Sequence, residues 1–163
     1  MKRCFLPLTI MLLSGCSLFA KPSTYIPPVV KADTAKFRLA GYTTTYSIVQ
    51  KNAQGIMEGG GVLEKNGVLN LMRHVPKEIG MPKVTGKVYA ENEYEVAVLP
   101  GKETRVTHST LQCTASILFI PQAKGLYEFY YTYNQGEACA LYGNEIIFDT
   151  VNNVYVEREI DQI

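Results

Sequence analysis

Short β-type segments separated by turn residues are the feature that most constrains this chain. In the last third, the runs 113–119, 126–133, 137–142, 145–148 and 154–158 each read as a strand, and residues rich in Pro, Gly and Asn separate them. Strands of about 5 to 9 residues with a turn about every 8 to 12 residues are typical of a sandwich or barrel. The pattern therefore predicts an all-β domain, either an antiparallel β-sandwich or a partly open barrel.

The same alternation continues upstream, at 36–40, at 45–50 and from Lys87 onward. Around residue 95 one strand face is apolar and the other acidic: Tyr94, Val96 and Val98 against Glu91, Glu93 and Glu95. Three carboxylates at this spacing could bind a cation, but charged outer faces more often keep a strand from pairing with other chains. We therefore expect the glutamates to lie on a solvated face.

Two glycine-containing segments predict turns in the first half. Asn66-Gly67 lies between the runs 61–65 and 68–72, and Asn-Gly between such runs is the strongest local signal for a hairpin. The cluster Gly59-Gly60-Gly61 lacks the following helix and lysine of a phosphate-binding loop. It is interpreted as a flexible loop, with a neighbouring cleft as a candidate ligand site.

The amino end carries a signal-peptide pattern, in which Lys2-Arg3 precede an apolar run and small residues come before a cysteine. The residues Leu13-Ser14-Gly15-Cys16 resemble the lipobox of bacterial lipoproteins. The resemblance implies cleavage before Cys16, a diacylglyceryl group on its sulfur and acylation of the new amino end. It also implies an outer-membrane, periplasm-facing location, because Ser17 follows the cysteine where aspartate would signal inner-membrane retention.

Two other readings of the amino end have less support. An ordinary secretory cleavage after Ala20 would place bulky Leu18 where a small residue is required. A buried first helix of a cytosolic protein would need neither the basic pair Lys2-Arg3 nor the helix-breaking Pro7. The apolar run is also too short to cross a bilayer core of about 30 Å.

Removal of residues 1–15 would leave 148 of the 163 residues, which is one domain by size. This part has 14 Lys and Arg against 15 Asp and Glu, because the signal contains two basic residues and no acidic ones. A near-neutral chain without a basic run argues against a nucleic-acid partner. The expected partners are the membrane, through the lipid, and another envelope protein.

Prolines at positions 22, 27 and 28 predict that residues 16–35 form a tether, followed by a single β-rich domain over 36–163. We expect the tether to contribute little to the core. The alternative, that part of it packs on the domain, rests on its apolar residues Tyr25, Ile26, Val29 and Val30.

Four cysteines are present. Cys4 would be removed with the predicted signal peptide, and Cys16 would carry the lipid. Cys113 and Cys139 remain, in an oxidising compartment, and predict a disulfide. In a three-strand meander the outer strands would lie about 9.5 Å apart, whereas a disulfide requires Cα atoms within about 7 Å. We therefore expect the Cys139 strand to cross to a second sheet and face Cys113 across the core.

The carboxyl-terminal block resembles a pattern in small β-rich bacterial lipoproteins of unassigned function. The resemblance covers some 30 residues and is carried by Cys113, Phe119-Ile120-Pro121, Gly125, Tyr127 and Cys139. It implies no activity.

Catalytic signals are scarce. His74 and His108 are the only histidines, and neither lies in a metalloprotease or hydrolase motif. A hydrolase built on Ser47 or Ser109 with His108 and Asp149 is a weak alternative, and His74 with Glu78 is read as an exposed loop rather than a metal pair. We expect no enzyme activity, cofactor or metal site.

One strand face carries a stripe of aromatic residues, Tyr127, Phe129, Tyr131 and Tyr133. If exposed, its three tyrosines would form a contact surface for a peptide, a glycan or another envelope protein. The competing interpretation is that they pack inside the core with their hydroxyls satisfied. The expected function is a structural or protein-interaction role in the envelope, and the alternative is a binding module for a small ligand or glycan.

The lipobox predicts the result of replacing Cys16 with serine. Stable anchoring requires two or more acyl chains, so Cys16→Ser should yield a soluble or uncleaved product. Fractionation with a high-salt wash checks this. A substituted chain that has lost its signal and still sediments with membranes would contradict the anchor assignment.

Overall fold

The computed structural model of the chain describes residues 23–40, 46–62, 77–89, 93–132 and 139–163. These residues contain nine strands and no helix: β1 (Ala35–Leu39), β2 (Tyr46–Lys51), β3 (Met57–Gly61), β4 (Tyr94–Val98), β5 (Thr104–Ser109), β6 (Thr114–Phe119), β7 (Leu126–Thr132), β8 (Ala140–Asp149) and β9 (Val154–Glu159).

The strands form two sheets, one of five strands in the order β4-β1-β7-β8-β9 and one of four in the order β3-β2-β5-β6. Neighbouring strands are antiparallel except β1 and β7, which run parallel. The predicted all-β class is confirmed, with a sandwich as the form that the described strands take.

Aromatic rings fill the space between the two sheets. The Phe37 ring of β1 lies 5.6 Å from that of Phe119 in the opposite sheet and 5.0 Å from that of Phe129 in β7. All three side chains are almost completely buried. Because successive strand residues face opposite sides, placing Phe37 in the core sends its neighbours Lys36 and Arg38 to the outer face of the five-stranded sheet.

The disulfide Cys113–Cys139 is present, with Cα atoms 6.3 Å apart. Cys113 directly precedes β6 and Cys139 directly precedes β8, so the bond joins the two sheets as expected. The point of crossing differs from the prediction. Because β7 and β8 are neighbours in one sheet, the chain changes sheets between β6 and β7, one connection earlier than inferred.

Within the segment predicted as a tether, Tyr25 packs into the core and is 6% exposed. Its hydroxyl donates to Gln50 Oε1 (3.2 Å) and to the Ala97 carbonyl (3.1 Å). Its amide donates to the carbonyl of Gly61 at 2.8 Å. Ile26, in contrast, is 85% exposed. The alternative that part of the tether packs on the domain therefore holds at Tyr25 and not at Ile26.

The expectation of a flexible loop at Gly59-Gly60-Gly61 is wrong, because these residues belong to β3. A side chain at Gly60 would collide with the carbonyl oxygen of Ser23, and one at Gly59 with that of Ile48. The glycines thus permit close approach of neighbouring backbone. Ser23 occupies the space next to Gly60, where a ligand cleft was expected. The hairpin predicted at Asn66-Gly67 lies outside the described residues.

Removing the disulfide should destabilise the domain. The bond closes a loop with a sequence separation of 26, for which the chain-entropy estimate is about 3.5 kcal/mol. The double variant Cys113→Ala/Cys139→Ala should lose that free energy of unfolding in chemical denaturation, and the reduced wild type should match it. A loss below about 1 kcal/mol would show that the bond does not constrain the unfolded chain.

Candidate functional site

A segment without regular secondary structure, residues 77–89, crosses the outer face of the five-stranded sheet, and we call it the strap. Near one end, Lys77 forms a parallel bridge with Tyr94 of the edge strand β4. Toward the other end, the Thr85 amide donates to the carbonyl of Tyr155 in the opposite edge strand β9, at 3.1 Å. Met81 is the only strap residue that is fully buried. The strap therefore covers this face mainly through polar contacts.

Beneath the strap lies a buried charged cluster centred on Arg38. The guanidinium contacts Glu95 Oε1 at 2.8 Å and Glu128 Oε2 at 3.1 Å, and all three side chains are at most 4% exposed. Its Nη2 also donates to the strap carbonyls of Met81 (3.0 Å) and Pro82 (3.1 Å). Each buried charge thus has partners, as burial of ions requires.

Strand register explains how the sequence builds this cluster. Arg38 of β1 is the Cα partner of Glu95 in the antiparallel neighbour β4 and of Glu128 in the parallel neighbour β7. Side chains at paired positions project from the same face of a sheet. The three residues therefore form one row across three strands.

The expected solvated face is wrong at Glu95, which is 3% exposed. The strap covers it, and the amides of Ile79 (2.7 Å) and Met81 (3.1 Å) donate to its second carboxylate oxygen. Glu93 also lies near the cluster, with its carboxylate 3.6 Å from Arg38, and burial raises the pKa of Glu93. Glu91 lies outside the described residues.

Lys87 of the strap joins the cluster by ion pairs with Glu128 and, at 2.6 Å, with Glu157 of β9. Burial alone would lower the pKa values of Arg38 and Lys87, but hydrogen bonds to the neighbouring carboxylates raise both pKa values overall. Both cations therefore keep their charge at neutral pH. The arrangement holds the strap on the sheet.

The structure does not bring the proposed hydrolase residues together. His108 lies in the core of the four-stranded sheet, 4% exposed, with its ring stacked 3.9 Å from that of Tyr131. Burial lowers the pKa of His108, so the ring is neutral at pH 7. Asp149 ends β8 in the other sheet, where it accepts hydrogen bonds from Val151 and Asn152 of its own turn.

The remaining candidate catalytic and metal-binding residues are exposed, lie within a strand or fall outside the described residues. Ser109 is exposed and accepts a hydrogen bond from Thr114, and Ser47 is half-buried within β2. Glu78 is an exposed strap residue, while His74 lies outside the described ranges.

The proposed tyrosine contact surface is wrong at Tyr127, which is 3% exposed and whose hydroxyl accepts a hydrogen bond from the Gln122 amide at 2.8 Å. Tyr131 is partly buried against the core and stacks on His108. Both rings therefore pack on the core side, but the expected satisfied hydroxyl is found only at Tyr127, because the buried hydroxyl of Tyr131 has no hydrogen-bond partner among the described residues. Tyr133 lies outside the described residues.

Two further aromatic side chains lie on the outer face of the five-stranded sheet, on β7 and β8. Tyr130 of β7 and Tyr142 of β8 are cross-strand partners with rings 5.0 Å apart and nearly parallel, and we call them the tyrosine pair. Tyr142 is 45% exposed, and Lys87 Nζ lies 5.2 Å from the centre of the Tyr130 ring. Sequence reasoning missed this pair because β7 carries tyrosine on both faces, and only the stripe with more aromatic residues was considered.

Comparison with known proteins adds no assignment: no family model matches the chain, and neither a curated protein nor a solved structure is found to match it. Within the ranges that the structure describes, no helix has the length and apolar character needed to span a membrane. The same ranges hold no group of three or more His, Cys, Asp or Glu side chains placed to bind a metal ion.

Replacing Arg38 with methionine should strongly destabilise the domain. The substitution leaves buried Glu95 without its cation and buried Glu128 with Lys87 alone, and breaking a buried pair in this way costs about 3 to 5 kcal/mol. Chemical denaturation measures the loss in free energy of unfolding.

The matched control is Lys51→Met, which breaks the ion pair between Lys51 and Glu103, whose side chains are 44% and 28% exposed. Solvated pairs contribute about 1 kcal/mol or less, so this variant should stay close to wild type. Equal losses in the two variants would show that the Arg38 cluster is no more than an ordinary surface pair.

Proposed function

We propose that this chain is a lipid-anchored envelope protein whose β domain binds another envelope protein through the outer face of its five-stranded sheet. The observation that carries the proposal is the tyrosine pair, a stacked aromatic surface in which Tyr142 is 45% exposed and Lys87 of the strap lies over the Tyr130 ring. Tyrosine is enriched at protein interfaces because its ring offers a large contact area and its hydroxyl a hydrogen bond.

Order around the tyrosine pair supports a binding role. Tyr142 lies three residues after Cys139, whose disulfide ties the start of β8 to the opposite sheet. Lys87 contacts the Tyr130 ring and is itself paired with Glu128 and Glu157. A surface that is already ordered loses less conformational entropy on binding, so more of the contact energy appears as affinity.

The anchor and location remain proposals from the amino end. Leu13-Ser14-Gly15-Cys16 resembles a lipobox, and Ser17 favours the outer membrane, with the domain facing the periplasm. The disulfide Cys113–Cys139 agrees with this location, because such bonds persist in oxidising compartments.

A glycan is the second candidate ligand for the same surface. The tyrosine pair presents flat rings beside Asn144, which follows Tyr142 on the same face of β8. Rings with an amide nearby provide both apolar contact and hydrogen bonds. The small-ligand alternative next to Gly59–Gly61 has less support, because Ser23 packs directly against Gly60.

The test is a pulldown of cross-linked full-length chain from detergent-solubilised membranes. Wild type should retain a stoichiometric protein partner, and Tyr142→Ser should reduce retention at least tenfold, which corresponds to about 1.4 kcal/mol. The matched control is Leu111→Ser, since Leu111 is a fully exposed apolar residue in the connection between β5 and β6. This control should retain the partner.

Three results would contradict the protein-partner proposal. They are the absence of a stoichiometric protein, retention unaffected by Tyr142→Ser, or equal loss with Leu111→Ser. Retention on envelope glycan in the absence of protein, lost in Tyr142→Ser alone, would replace the protein partner with the glycan.

A further inference from the structure

A cleft of about 350 Å³ opens at the end of the sandwich, between the end of β6, the start of β7 and the end of β9. We call it the end cleft. Its volume equals about a dozen water molecules at roughly 30 Å³ each, enough for a ligand of about ten non-hydrogen atoms. Neither the tyrosine pair nor the strap lines it, so any ligand here is independent of the proposed protein partner.

The floor of the end cleft is apolar and contains one buried donor. Phe119, Tyr127 and Ile160 line it and are 2%, 3% and 9% exposed. The Tyr127 hydroxyl accepts a hydrogen bond from the Gln122 amide, but in the described part of the chain no group accepts its own proton. Burial raises the pKa of Tyr127, so the phenol keeps this proton at neutral pH. Because this phenol lines the open cleft, a ligand that carries an acceptor can take its proton in place of water.

The mouth of the end cleft is acidic. Arg158 is paired with Glu145, while Glu159 and Asp161 are exposed and have no ion pair with any cation in the described ranges. One guanidinium and three carboxylates leave a net charge of −2 on the lining. This charge attracts a cation and repels an anion.

We propose that the end cleft binds a small amine whose apolar stem carries a hydrogen-bond acceptor. The stem lies against Phe119 and Ile160, the acceptor takes the proton of Tyr127, and the ammonium lies beside Glu159 and Asp161. Each part of the ligand is complementary to a separate feature of the cleft. An anion in place of the ammonium meets like charge, and a stem without an acceptor leaves the phenol unpaired.

Three probes with the same six-carbon stem separate these contributions: 6-amino-1-hexanol, hexylamine and 6-hydroxyhexanoate. The full-length chain in lipid nanodiscs carries labelled isoleucine methyl groups, and NMR shifts at Ile160 report the cleft, while those at Ile56, exposed and outside the lining, report non-specific effects. 6-Amino-1-hexanol should give saturable shifts at Ile160 and at the other isoleucines of the lining, Ile120 and Ile163, and none at Ile56. Hexylamine should bind about threefold to tenfold more weakly, and 6-hydroxyhexanoate at least tenfold more weakly.

Two variants test the assigned contacts. Tyr127→Phe should lower the affinity for 6-amino-1-hexanol to that of hexylamine and leave hexylamine binding unchanged, which also shows that the variant is folded. Glu159→Gln/Asp161→Asn should bring the amine and the carboxylate probes to similar affinity. The matched control Asp33→Asn/Glu78→Gln removes two carboxylates elsewhere on the exposed surface and should keep the discrimination.

Equal binding of all three probes, or equal shifts at Ile56 and Ile160, would overturn the proposal. Discrimination that survives in Glu159→Gln/Asp161→Asn, or is lost in the Asp33→Asn/Glu78→Gln control, would do the same. Failure of the Tyr142→Ser pulldown leaves these outcomes unaffected, since Tyr142 is not part of the end cleft.

Discussion

The buried guanidinium of Arg38 is the interaction on which the arrangement of the five-stranded sheet depends. A buried charge is tolerated only when its partners are in place. Here the partners come from β4, from β7 and from the strap carbonyls of Met81 and Pro82. Arg38 is satisfied when β1 lies between β4 and β7 with Glu95 and Glu128 at the positions paired with Arg38, as observed. The cluster selects one strand order, whereas the apolar core of Phe37, Phe119 and Phe129 supplies the burial that any sandwich needs.

The two faces of this sheet consequently have different roles. The inner face packs aromatic rings against the other sheet, and the disulfide fixes the two sheets at the start of β6 and β8. The outer face carries the charged cluster in its middle and, beyond the strap, the tyrosine pair. Lys87 connects these two regions, because its ammonium contacts both Glu128 and the Tyr130 ring. Loss of the charged cluster would therefore also disturb the surface proposed to bind a partner.

Local patterns predicted the strands and the all-β class, and elimination among four cysteines predicted the disulfide. The other features of the fold and of the candidate site depend on contacts between segments that are distant in the sequence, which local patterns do not reveal. Alternation of polar and apolar residues with a period of two shows which side chains share a face of a strand. It does not show whether another segment covers that face, and the sequence therefore predicts a solvated Glu95 where the strap covers it. Glycine marks either a loop or close backbone approach, and only the docking of Ser23 decides between them at Gly60. In β7, tyrosines lie on both faces, so sequence alone does not distinguish the half-buried, outward-facing Tyr130 from the buried Tyr127.

The edges of both sheets narrow the ways in which a partner can bind. An edge strand with free backbone groups can add a strand from another chain. Here each edge strand has a segment of this chain against it: Ser23 at β3, Lys77 at β4, Thr85 at β9 and Ile163 at β6. The exposed end of β9 is also charged, with Glu157, Arg158 and Glu159. Strand addition is therefore disfavoured at these positions. The tyrosine pair and the end cleft, which are side-chain surfaces away from these edge contacts, are accordingly the two regions that we propose for contact with other molecules.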